Sequence, residues 1–293
     1  MNLEKYLSDH KRLVEDMLLK YLADDGIPST LRKSMEYSLS AGGKRLRPIL
    51  VIAGAEAAGG SAKTVMPIAC AIEMIHTFSL IHDDLPAMDD DGLRRGKPTN
   101  HKVFGEATAV LAGDGLLAEA FSVLASGAKD ADPGLLVEII KDIADAAGGR
   151  GMTGGQQIDM ESADLKLTES ALMKLHGLKT GRLFTVSAVS GAKYCGGTGP
   201  QISALKKYGE CIGLAFQIAD DVLDIEGNQD EIGKDVGSDI ENNKATYPSI
   251  IGLEASKHKA AALADQAISA LSVFDERADP LREIARYTIE RKK

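Results

Sequence analysis

Leu3, Tyr6, Leu7, Leu13, Val14, Met17, Leu18 and Tyr21 recur at three- and four-residue spacing, the period of a helix face. The same period returns through most of the chain. Such faces lose their apolar surface to water unless helix packs on helix. Composition agrees. Aromatic residues are 4% with no Trp, while Ala and Leu are abundant, so the residues that favour strands are scarce. At 293 residues and 44% hydrophobic content, the chain can build a substantial core. These features predict an all-α protein, one domain over 1–293, as a large bundle of about ten helices.

Punctuation residues set the expected boundaries. Ile27-Pro28-Ser29 opens a second helix that runs into Ala41-Gly42-Gly43. Pro48 begins a third, closed by Gly59-Gly60. Long apolar helices are expected near 64–84 and 104–127, and Pro133-Gly134 starts the next. Gly148 to Gly155 reads as a bend between helices. Further helices are expected near 168–195 and 201–225, then a polar loop from Gly227 to Asn243 and two or three closing helices.

Two carboxylate clusters sit where apolar helices end. Asp83, Asp84, Asp89, Asp90 and Asp91 lie in H-D-D-L-P-A-M-D-D-D-G-L-R-R-G-K, and Asp220, Asp221 and Asp224 lie in Q-I-A-D-D-V-L-D. Asp220 and Asp224 share a helix face one turn apart, where like charges repel unless a cation joins them. Pro86 ends the first helix, so Asp89 returns by a loop as the better third ligand beside Asp83 and Asp84. Oxygen-only ligands point to a hard cation such as Mg²⁺, which commonly completes its shell with substrate phosphates. Phe78, Ile81, Asp83 and Asp84 weakly echo Phe216, Ile218, Asp220 and Asp221, as two helices facing each other across a cavity would.

Cations stand beside these acids. Gly42-Gly43-Lys44-Arg45-Leu46-Arg47 carries three, and Arg94, Arg95 and Lys97 follow the first cluster. Lys179, Lys234 and Lys244 are expected near the ends of other helices. Arg pairs bidentately with phosphate oxygens, so the pattern suggests a metal-bridged polyphosphate. Arg45 and Lys97, taken singly, read as ordinary solvated surface charges. G-G-K-R lacks the first glycine and the hydroxyl residue of a nucleotide P-loop. A net charge of -9 without a basic face argues against nucleic acid. Cys70, Cys195 and Cys211 follow no pairing pattern and read as thiols in a reducing compartment. The polar N-terminus is unlike a signal peptide, and no run approaches the apolar length of a membrane span; a cytoplasmic protein is expected.

These motifs together resemble the short-chain trans-isoprenyl diphosphate synthases, and within them the bacterial farnesyl diphosphate synthases. The resemblance rests on G-G-K-R-L-R-P at 42–48, S-L-I-H-D-D-L-P-A-M-D-D-D-G-L-R-R-G at 79–96, G-G-Q at 154–156, K-T-G at 179–181, F-Q-I-A-D-D-V-L-D at 216–224 and G-K-D at 233–235. It implies an isoprenoid-synthase bundle around a central cavity, a homodimer, and three Mg²⁺ ions per site, replaceable by Mn²⁺. Asp83, Asp84 and Asp89 would serve the metal on one side, and Asp220, with Asp221 and Asp224, on the other. Lys44, Arg47, His76 and Arg95 would bind the diphosphate of isopentenyl diphosphate. Arg94, Lys179 and Lys234 would hold the allylic diphosphate, dimethylallyl or geranyl. Thr180 and Gln217 would line the reacting carbons, and Arg291 to Lys293 would cover the second-substrate site. Phe78 and Ser79, one turn below Asp83, would set product length. A geranylgeranyl diphosphate synthase shares these motifs and stays open as the alternative, with a non-catalytic subunit of a heteromeric synthase behind it.

Overall fold

The computed structural model describes residues 1–127, 132–162, 165–226 and 245–291. The expected polar loop from Gly227 to Asn243 lies outside them. The first helices are α1 (Leu3–Leu22), α2 (Ser29–Leu39), α3 (Leu46–Ala57) and α4 (Ala62–Asp83). A hairpin of β1 (Leu93–Arg94) and β2 (Lys97–Pro98) follows, then α5 (Asn100–Phe104), α6 (Glu106–Gly127), α7 (Pro133–Ala147), α8 (Met152–Glu161) and α9 (Glu169–His176). A π-helical segment, Gly177–Gly181, joins α9 to α10 (Arg182–Tyr194), and α11 spans Gly199–Glu226. The last are α12 (Tyr247–Ile251), α13 (Leu253–Ala270) and α14 (Asp279–Glu290). The all-α expectation holds. The helices outnumber the expected ten because long stretches are subdivided. Gly105 (φ 84°) separates α5 from α6, and Gly252 (φ 85°) separates α12 from α13.

Local signals set the ends. The Asn2 side chain accepts from Lys5 N at 2.9 Å and starts α1, whose Val14, Leu18 and Leu22 then face inward. Asp132 caps α7 and Thr168 caps α9 in the same way. The hairpin has no forerunner in the hydrophobic pattern. Arg95 (φ 53°) and Gly96 (φ 73°) both take the left-handed conformation that a two-residue turn between twisted strands requires.

α4 is the central post. From Val65 to Ile75 its residues are buried on every side, enclosed by α1, α3, α6 and α10. Two expectations change here. α4 and α6 are both long and apolar enough to cross a bilayer by length and composition alone. Most of α4 is instead buried within the protein, where a core helix meets the same criterion; α6 buries less of its length. The Gly148–Gly155 stretch is also a shorter bend than expected, because α8 begins at Met152 and takes Gly154 and Gly155 into its first turns.

α3 and α10 approach so closely that backbone meets backbone. A Cβ on Gly191 would fall 2.0 Å from Val51 O, and one on Gly54 would fall 2.3 Å from Ala188 O. This contact holds α3, which carries Arg47, against α10. Gly191→Ala is expected to destabilise the protein by about 1–3 kcal/mol, the usual cost of overpacking, measured as a lower urea midpoint at unchanged slope.

Candidate active site

The first acidic cluster is shaped by the end of α4. Asp83 is its last residue and Asp84 its cap. After Pro86 the chain doubles back, and Asp89 N donates to Asp83 O at 2.9 Å, with Asp90 in a left-handed conformation (φ 50°). The loop expected from Pro86 is therefore present and returns Asp89 to Asp83. Asp84 is 3% exposed and receives the Arg94 Nε–H, while Arg94 Nη2 reaches Asp91 at 3.3 Å.

The second cluster divides by helix face. Asp220 accepts from Arg291 Nη2 at 2.6 Å. Burial pushes its carboxyl upward, opposed by Arg291 and Lys44. Asp224 Oδ2 is buried without a hydrogen-bond partner among the described residues. Asp221, expected beside Asp220 as a supporting acid, is engaged by protein groups. It is 2% exposed and accepts from Gln217 Nε2 at 3.1 Å and Tyr247 N at 2.9 Å. Gln217 Oε1 in turn accepts from the Thr180 hydroxyl at 3.1 Å. Asp221 thus orients Gln217 and anchors α12 to α11.

The cations gather around the Gly42-Gly43 turn. Arg95 donates to Gly42 O, and its guanidinium leaves no room for a side chain at Gly43, where a Cβ would fall 2.5 Å from Cζ. Arg45 is the largest departure from the sequence reading. It is 3% exposed, not a solvated surface charge, and donates to Glu73, Glu15 and Leu39 O. Lys97 is exposed, as a solvated charge would be. Arg47 Nη1 lies 3.2 Å from His76 Nε2, and its guanidinium sits 4.7 Å over the Phe184 ring. Burial lowers Arg47 to about 10, still charged at neutral pH. Burial, then Arg47, Arg95, Arg45 and Arg94, hold the His76 imidazolium well below its ordinary range. His76 is therefore neutral and accepts from Arg47 at Nε2. Arg47 Nε is buried without a partner among the described residues, a donor suited to an anion.

Arg47 and His76 open onto a cavity of about 300 Å³. α4 contributes His76, Phe78, Ser79, His82 and Asp83; α8 contributes Met152, Thr153 and Gln156; Arg47, Met88, Lys179 and Thr180 complete it. Lys179 lies inside the π segment, not at a helix end as expected, and donates to Asp159 at 2.6 Å. π turns widen a helix locally and are frequent at functional sites. Lys234 and Lys244 lie outside the described residues. So do the last two residues, but Arg291 is held over Phe216 at 3.9 Å. The sequence reading missed Glu73, Asp159, Met88 and the cavity-lining role of α8. Glu73 was the findable one, as a lone acid inside an apolar helix.

Among the described residues no three acidic, His or Cys side chains are placed to hold a metal ion by themselves. The donors are nevertheless all carboxylate oxygens, and Asp224 has a buried oxygen without a partner among the described residues. That chemistry fits a hard cation that takes only part of its shell from protein and the rest from substrate phosphates.

A family model described as polyprenyl synthetase matches residues 28–279. The chain belongs to the polyprenyl synthetase family. Members of this family are generally metal-dependent prenyltransferases that act on prenyl diphosphates. The chain is 50% identical over 258 residues to a farnesyl diphosphate synthase of Bacillus subtilis, covering 88% of this chain and 87% of the relative. It is 46% identical to a geranylgeranyl diphosphate synthase of Cyanophora paradoxa, over 99% of this chain and 97% of that one. A crystal structure of an FPP/GFPP synthase from Zymomonas mobilis superposes with a TM-score of 0.87 at 40% identity, covering 98% and 99% of the two chains.

The depressed His76 imidazolium carries a pH consequence. The unfolded chain takes up a proton below the ordinary His value of 6.5, and the folded site resists it. That contribution to stability is present above this range and lost as pH falls. Thermal unfolding between about pH 7.5 and 5.5 should show a steeper loss of Tm in the unmodified protein than in His76→Gln. Equal slopes would show that His76 does not titrate this way.

Proposed function

We propose that this chain is a farnesyl diphosphate synthase, condensing isopentenyl diphosphate with dimethylallyl and then geranyl diphosphate. The observation that carries this reading is the lining of the cavity. Asp83, Arg47 and Lys179 line it together with apolar Leu80, Met88 and Met152, and Phe78, 9% exposed, lines it one turn below Asp83. A bulky ring there leaves little depth for a longer chain. A residue as small as Ala would favour the geranylgeranyl alternative.

Arg94 and Lys179 grip the allylic diphosphate, exchanging their present carboxylate partners for phosphate, and Lys234 joins them. Lys44, Arg47, His76 and Arg95 take the diphosphate of isopentenyl diphosphate. Asp83, Asp84 and Asp89 on one side and Asp220 and Asp224 on the other would hold divalent metal, three Mg²⁺ ions in this reading, which would supply positive charge against the departing diphosphate. The allylic C–O bond breaks with both electrons leaving on oxygen. The double bond of isopentenyl diphosphate attacks the resulting cation and forms the new C–C bond. One proton then leaves, and the released diphosphate accepts it. Thr180 and Gln217, fixed by Asp221, lie beside the reacting carbons, and the apolar wall keeps water from the cation.

A homodimer is part of the proposal. Ala107, Val110, Leu111, Ala118 and Ala125 lie exposed along one side of α6, a surface suited to a second copy. The free thiols of Cys70, Cys195 and Cys211 fit the reducing cytoplasm.

The enzyme incubated with Mg²⁺, isopentenyl diphosphate and dimethylallyl diphosphate should form mainly a fifteen-carbon product, and chelation with EDTA should abolish it. No elongation in the presence of Mg²⁺ would defeat the reading. Phe78→Ala should move the product toward twenty carbons; an active variant with an unaltered product would remove Phe78 as the floor.

A further inference from the structure

Phe78 reaches the cavity from α4 only. The first turn of α8 reaches it from another side, through Met152. We infer that Met152 forms the second half of the cavity floor and limits product length jointly with Phe78; this rests on the prenyl-chain reading above.

Depth along the two helices supports the pairing. α8 rises from the bend at Gly151 toward the charged mouth. Met152 lies in its first turn, Gln156 one turn higher, and Asp159 higher again, where it meets Lys179 at 2.6 Å. Met152 is therefore about 10 Å along the helix from the Asp159–Lys179 pair, at ~1.5 Å per residue. By the same rise Phe78 is about 7.5 Å from Asp83. Both side chains thus lie well below the charges that hold the diphosphate. Both also belong to one buried apolar cluster, Met152 at 7% exposure and Phe78 at 9%.

The backbone beneath Met152 is held in place. A Cβ on Gly155 would fall 2.3 Å from Lys179 N, and one on Gly151 would fall 2.1 Å from Ala146 O. α8 therefore has no room to shift toward the π segment when the side chain at 152 changes, and the volume removed goes to the cavity. Methionine is unbranched and adapts its shape, unlike the rigid ring of Phe78. Phe78 sets the main stop, and Met152 sets how sharply products longer than fifteen carbons are excluded.

The test compares the unmodified enzyme with Met152→Ala, Met152→Leu, Phe78→Ala and Phe78→Ala combined with Met152→Phe. Each is supplied with Mg²⁺, isopentenyl diphosphate and dimethylallyl diphosphate, and product length is read by chromatography. Met152→Ala should raise the twenty-carbon share several-fold, while Met152→Leu, close in volume, should leave it unchanged. Met152→Phe should shorten the lengthened product of Phe78→Ala. The inference is overturned if Phe78→Ala lengthens the product but neither Met152→Ala nor the added Met152→Phe alters it. The double variant decides the matter if Met152→Ala does not fold. Absence of any elongation by the unmodified enzyme would instead remove the prenyltransferase reading on which the inference stands.

Discussion

The buried guanidinium of Arg45 is the constraint on which the site depends. Its own backbone is left-handed (φ 53°) and starts α3. Its side chain reaches Glu73 on α4, Glu15 on α1 and the C-terminal carbonyl of α2. One cation thereby ties three helices to the start of a fourth. Burying such a charge is costly, and removing one partner leaves the other uncompensated. The return is positional: the residues on either side of it, Lys44 and Arg47, gain a fixed frame. Arg95 closes the other side of the turn against Gly42 and Gly43.

Several charges of the site stand in internal pairs. Arg94 holds Asp84, Lys179 holds Asp159, and Arg291 holds Asp220. Each pair joins a group suited to phosphate or metal with one of opposite sign. Binding of a polyanion with its cations is therefore an exchange of partners, with little change in net local charge. Electrostatic attraction between groups this close survives the screening that weakens exposed pairs.

Much of this was legible in the residue pattern, for reasons of spacing. Helical periodicity gave the architecture, and Pro86 gave the returning loop that carries Asp89. The three-dimensional roles of neighbouring, chemically similar residues were less legible. Arg45 stands between Lys44 and Arg47 in a basic run, and only the fold distinguishes the buried tie from its flanking cations. Asp221 sits beside Asp220 in the same motif, yet an angular step of about 100° per residue turns it toward Tyr247 and Gln217. The hairpin escaped because two-residue strands carry no alternation. The Gly148–Gly155 stretch misled because glycine serves tight helix contact as well as chain reversal.

The π segment at Gly177–Gly181 sets the angular phase of everything after it. It holds Lys179 and Thr180 at the cavity, and α10 continues without a break. Loss of one residue there, restoring a plain α-helix, would rotate α10 by about 100° relative to α9. Phe184 would turn from beneath Arg47, and Gly191 would no longer face Val51. The helix could stay intact while its contacts with α3 were lost. Chain length across these five residues is thus a phase condition on the fold, stricter than the identity of most side chains within it.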